Sequence, residues 1–119
     1  MASVLTNAGR AIITSALTSS TAKYAAMGTG AGTAAAADTT LFTEVETRTS
    51  GTQTQQTTSV TNDTYRVTGT VAATATRAIT NAGVFDASTS GNLLVKGDFS
   101  TINLASGDSI AFTFNLQFT

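Results

Sequence analysis

Ile110-Ala111-Phe112-Thr113-Phe114-Asn115-Leu116-Gln117-Phe118-Thr119 alternates apolar and polar residues without a break. A period of two puts Ile110, Phe112, Phe114, Leu116 and Phe118 on one face of a strand and the polar residues on the other. Such a strand has one side against a core and one against solvent, the pattern of an antiparallel sheet. The strand runs to the end of the sequence, so the reading pins that end in a sheet. It also predicts that Phe114 is buried, with Phe114→Ala costing about 3–5 kcal/mol.

The segments before it repeat the theme. Tyr65, Val67, Gly69 and Val71 alternate with Arg66, Thr68 and Thr70. A strand from Ile79 runs through Val84 and Phe85, with Asn81-Ala82-Gly83 marking a bulge. Leu93-Leu94-Val95 begins another, with Phe99 and Ile102 beyond, and Ser106-Gly107-Asp108 turns into the last strand. Tyr24 and Ala26 lie on a short strand that Gly28-Thr29-Gly30-Ala31-Gly32 ends as a tight bend. Asp38 is expected to cap a helical turn that plugs Leu41 and Phe42 into the core. Thr47–Ser59 is polar on both faces and has no register set by hydrophobicity. It reads as an exposed edge strand, a protruding ribbon or an arm on a neighbour, paired with the Tyr65 strand, with a disordered loop as the alternative; deleting Thr52–Thr58 is expected to spare the fold and weaken assembly.

Only the N-terminal segment has helical periodicity. Val4, Leu5, Ala8, Ile12, Ile13, Ala16 and Leu17 recur at steps of three and four, predicting a helix over about 4–18 with this face on a sheet. Ser3 or Thr6 is the N-cap, and Gly9 inside the pattern suggests close packing on the sheet. The expected architecture is mainly β: one domain over 1–119, an antiparallel sandwich or jelly-roll-like arrangement of about six strands over 23–119, with one N-terminal helix.

Composition narrows the function. The chain has 119 residues, 41% apolar but only 11% charged, with a net charge of −1. A charged fraction this low suits a surface covered by other subunits. Roughly one residue in five is Thr, which suits exposed strand faces. Proline is absent, so sheet edges lack a common blocker. No basic patch exists to neutralise phosphates, which argues against nucleic-acid binding. No stretch is long and apolar enough to span a membrane. Thr6, Asn7 and Arg10 interrupt the first apolar run, which therefore does not read as a signal peptide.

Catalytic chemistry has little to work with. There is no His and no Cys, which removes the commonest general base, the thiol nucleophile and the main metal ligands. Glu44 and Glu46 read as a solvated or subunit-facing pair, and Asp63 and Asp108 as turn residues bonding their own backbone. Asp86, with Ser88 and Asn92, lacks the acidic spacing of a calcium loop. No enzyme, cofactor, metal site or small-molecule substrate is expected. The residues chosen as candidate subunit contacts are Arg48, Thr52, Gln53, Gln55, Gln56, Arg66 and Arg77, which lie among Thr and Gln on predicted strands; an Arg there can pair with a carboxylate across an interface.

Several stretches carry a family resemblance. Leu5-Thr6-Asn7-Ala8-Gly9-Arg10, Tyr24–Gly30, Asp38-Thr39-Thr40-Leu41-Phe42-Thr43-Glu44, Ile79–Ala87, Lys96-Gly97-Asp98-Phe99 and Ala105–Ile110 resemble small virion structural proteins of tailed bacteriophages. The resemblance covers nearly the whole chain and rests on turns and strand starts. It implies a virion protein made in the host cytoplasm. The favoured role is a capsid cement or decoration protein, bound to the major capsid protein or other virion proteins as a symmetric dimer or trimer. The alternatives are a tail-fibre or baseplate component and, further off, a receptor- or carbohydrate-binding module. The last is weakened by 7% aromatic content and no Trp.

Overall fold

The computed structural model describes residues 1–119. One helix, α1 (Asn7–Thr18), precedes seven strands: β1 (Tyr24–Gly28), β2 (Glu44–Ser50), β3 (Thr52–Gln56), β4 (Thr64–Ala72), β5 (Arg77–Phe85), β6 (Leu93–Leu104) and β7 (Ser109–Gln117). They form two antiparallel sheets, ordered β2-β1-β5-β6 and β3-β4-β7. The sandwich is elongated, 52 × 26 × 26 Å. Between the sheets, Ala25, Met27, Val71, Ala73, Ile79, Ala82 and Leu104 form one cluster and Tyr65, Val67 and Val84 another.

The alternation of the last strand holds along its length: Ile110, Phe112, Phe114 and Leu116 of β7, and Phe118 just beyond it, face the core. These side chains are only half-buried, because β7 is the outer strand of its sheet. The Phe118 amide donates to the Asp63 carbonyl at 2.9 Å, which pins this end of the chain to the start of β4.

The polar segment Thr47–Ser59 is neither a single strand nor a protruding ribbon. It crosses between the sheets: β2 is an edge of one, β3 an edge of the other, and Gly51 is the corner. The Gly51 amide donates to the Lys23 carbonyl at 2.7 Å. A Cβ there would lie 2.6 Å from the Val67 methyl, so only glycine lets the corner fold this tightly. The crossing makes seven strands where the sequence suggested six, and it makes the segment integral to both sheets. The expected pairing with the Tyr65 strand is present, from Thr52 opposite Thr68 to Gln56 opposite Thr64.

The helix starts at Asn7, with Thr6 as N-cap accepting from the Gly9 amide at 3.0 Å. Gly9 is crowded by its own cap, Leu5 and Thr6, rather than by a sheet. The packing face also differs from the expected one. Ile13, Thr14 and Leu17 turn inward, while Val4, Ala8, Ile12 and Ala16 face outward, with Val4 83% and Ile12 69% exposed. Polar bonds set this rotation. The buried Thr14 hydroxyl donates to the Asn62 carbonyl at 2.7 Å and accepts from the Gln55 amide at 2.9 Å.

No helical turn forms at Asp38. Residues 29–43 cross the outer face of the four-stranded sheet, where Leu41 packs with Ala26, Phe85 and Leu93. Gly28, Gly30 and Gly32 form a bed rather than a bend: a Cβ on any of them would come within 2.9 Å of Phe42. The Thr29 and Gly30 amides donate to the Thr43 and Phe42 carbonyls. The β5 pairing with β6 is irregular between Ile79 and Asn81 and again between Val84 and Phe85, on either side of the expected bulge.

Candidate interaction surface

The charged side chains show what the surface can do. All seven carboxylates accept bonds within the chain. Glu44 pairs with Arg48 (2.8 Å), Glu46 with Arg77 (2.9 Å) and Asp38 with Lys96 (2.8 Å). Asp63, Asp86, Asp98 and Asp108 accept from backbone amides of Thr58, Asn92, Ala34 and Ala105. Glu44 and Glu46 therefore do not form one outward pair. A left-handed kink at Glu46 (φ 68°) within the β2 irregularity sends each to its own arginine.

For Asp38, Glu46, Asp63 and Asp86 these bonds favour the ionised form. The Arg77 guanidinium, then the Thr74 amide and hydroxyl, lower Glu46 to about 2 against a smaller effect of burial. Burial raises Asp63, but amides of Thr58, Ser59 and Val60 and the Thr64 hydroxyl outweigh it and hold that carboxyl far below the usual range. Lys96 and the Ala35 amide lower Asp38, and the Asn92 amide and side chain lower Asp86. Such carboxylates act as turn braces and struts.

The residues singled out from sequence divide by strand face. Gln53 and Gln55 point inward. Gln53 donates to the Ser20 and Thr21 carbonyls and accepts from the Tyr65 hydroxyl; Gln55 donates to the Ala11 carbonyl and the Thr14 hydroxyl. Arg48 lies over the Phe85 ring, 3.5 Å from its centroid, and donates to the Ala87 and Ser90 carbonyls. Arg77 reaches Glu46. Thr52, Gln56 and Arg66 lie on the opposite face of their strands, the outside of the three-stranded sheet. There the cross-strand rows Thr52-Thr68-Thr113 and Thr54-Arg66-Asn115 make a hydroxyl- and amide-rich surface with one cation. Arg66 is bonded to Asn115 at 2.8 Å.

Two organising residues escaped the sequence reading. Asn81 is fully buried, and its side-chain amide bonds both the amide and the carbonyl of Phe42 at 3.0 Å, as a neighbouring strand would. Lys96 bonds Asp38 and the Thr40 carbonyl and lies 3.3 Å from the Phe42 ring centroid. An Asn inside an otherwise apolar and small-residue strand was the available signal for the first.

A family model described as "Podophage GP4 fiber I protein gp80" matches residues 6–117, from the N-cap of α1 to the last residue of β7. The chain belongs to this family. It is thus a small virion structural protein of a tailed phage, of the tail-fibre type. The match supports the tail-fibre alternative over the capsid-cement role that the sequence favoured. No curated protein matches the chain. No helix is long and apolar enough to cross a membrane.

Proposed function

We propose that this chain is a structural subunit of a phage tail fibre, joined to other virion proteins through uncharged sheet surfaces and carrying out no catalysis. The observation that carries this reading is the match to a fibre family over residues 6–117. The bonding pattern supports it. Charges are spent on internal struts, leaving hydroxyls, amides and apolar side chains outside, a composition suited to packing against protein neighbours. Of the contact candidates, Thr52, Gln56 and Arg66 on the outer face are the ones that meet a neighbour. Gln53 and Gln55 brace that sheet from its inner face, whereas Arg48 and Arg77 brace the edge of the four-stranded sheet. The helix and both sheets act as one folding unit.

The test is to separate tails from heads after disrupting purified virions and to probe both fractions with an antibody to this chain. Signal in the tail fraction is expected. Signal confined to heads would overturn the tail reading and restore the cement role.

A further inference from the structure

The sandwich has four sheet edges, and three are defended. β2 is kinked and carries Glu44, Glu46 and Arg48. β3 is five residues long and begins at the Gly51 corner. β6 breaks register with β5 twice, and its Lys96 and Asp98 tie the 34–40 segment across it. β7 has no such device. Its nine residues include no charge and no proline, and its register with β4 is unbroken from Ser109 to Gln117. Folded proteins normally blunt an edge of this kind, because its free backbone groups template another strand.

The free groups can be assigned. The Phe118 amide donates to the Asp63 carbonyl, and the Ala73 amide donates to the Asp108 carbonyl. Both fall on the even-numbered residues at this end of the chain. In an antiparallel pair the bonding direction alternates along a strand. The even residues of β7 therefore bond β4, and Ser109, Ala111, Thr113, Asn115 and Gln117 direct their N–H and C=O groups away from the sheet.

We propose that β7 pairs with β7 of a second copy, antiparallel about a two-fold axis through Thr113, joining two three-stranded sheets into one. The occupant is a second copy because the strand is complementary to itself. Thr113 is the midpoint of β7, so full overlap places Thr113 opposite Thr113 of the second copy as a hydrogen-bonded pair. Ala111 then faces Asn115 and Ser109 faces Gln117, so every outward group finds a partner. On the core side, Phe112 falls opposite Phe114 of the second copy, and Ile110 opposite Leu116, in the closer non-hydrogen-bonded pairs. These are the side chains left half-buried at the open edge, where Phe112 already stacks on Phe114 at 5.7 Å and meets Phe99 at 6.3 Å. No charge lies in β7 to oppose its own copy. Partner choice and orientation thus follow from one alternating strand.

This interface stands apart from the question of head or tail and is read on the isolated protein. The wild-type chain is expected to sediment at twice its 12.0 kDa mass at micromolar concentration. The chain has no cysteine, so Thr113→Cys gives a single reporter; hydrogen-bonded antiparallel partners lie about 5.5 Å apart at Cα, within disulfide reach. Thr113→Cys is expected to cross-link into dimers under mild oxidation, and Thr70→Cys on β4 is not. Thr113→Lys and Thr113→Glu should each sediment as monomers, and a mixture of the two should dimerise. Thr113→Pro, which removes an outward N–H and no β4 bond, should also be monomeric; should it fail to fold, the Lys/Glu mixture decides. A wild-type monomer at all accessible concentrations overturns the proposal. So does a dimer that survives Thr113→Lys or that Thr113→Cys fails to cross-link.

Discussion

Replacing Asn81 by Ala tests how the outer face of the four-stranded sheet is closed. Asn81 is fully buried and stands in for a strand: its amide nitrogen donates to the Phe42 carbonyl and its oxygen accepts from the Phe42 amide, both at 3.0 Å. A third bond reaches the Thr80 hydroxyl at 3.2 Å. Each lost bond costs about 1 kcal/mol, and a stranded amide or carbonyl about 1–3 kcal/mol where water cannot reach it. Phe42 is half-buried, so the lower end applies, and the total is about 2–4 kcal/mol. That is a large part of the roughly 5–15 kcal/mol that holds a domain of this kind folded. Asn81→Asp keeps the acceptor but turns a buried carboxylate on the Phe42 carbonyl, so at pH 7 it should cost more than Asn81→Ala. The gap should narrow towards pH 4, where the introduced acid takes up a proton. Urea unfolding followed by circular dichroism gives the stabilities, and limited proteolysis should show cleavage within residues 29–43. An Asn81→Ala protein within about 0.5 kcal/mol of wild type would refute the strand-mimic argument, as would equal stability of the two variants at pH 7.

Other predictions follow the same logic. Phe114→Ala should cost about 2–3 kcal/mol in urea unfolding of the monomer, less than the fully buried value, because part of the ring faces the open edge. Gly51→Ala drives a Cβ to 2.6 Å from the buried Val67 methyl and should lower stability by about 1–3 kcal/mol. The folded-state values of Asp38, Glu46, Asp63 and Asp86 lie below the unfolded value of about 4. Their stabilisation is complete above that value and is lost as pH falls towards 2, where Glu46 itself titrates. The melting temperature should therefore hold from pH 7 to about pH 5 and fall below it. Burial raises Tyr65 to about 12, so a second loss should develop as pH rises from about 10 towards 12.

The sequence shows most where one side of a strand meets a core. In β4 and β7 hydrophobic alternation sets face and register together, and both strands fold as they read. It shows least where both faces are polar. Thr47–Ser59 contains a change of sheet, but its only mark is Gly51, and the reason for that glycine is Val67, sixteen residues on. The helix was found but its rotation was not. Apolar residues surround more of α1 than the sandwich covers, and the deciding contacts are polar, from Thr14 to Asn62 and Gln55. Counting apolar positions cannot weigh such bonds. The same holds for the candidate contacts: Gln53 and Gln55 share composition with Thr52 and Gln56 but lie on the opposite strand face, a matter of register with β4.

Copies per virion, counted by quantitative mass spectrometry against the major capsid protein, test the central claim most directly. A tail-fibre subunit predicts a few to a few dozen copies, far below the capsid protein. A number equal to the capsid protein, or a simple fraction of it, would place the chain on the head and contradict the account.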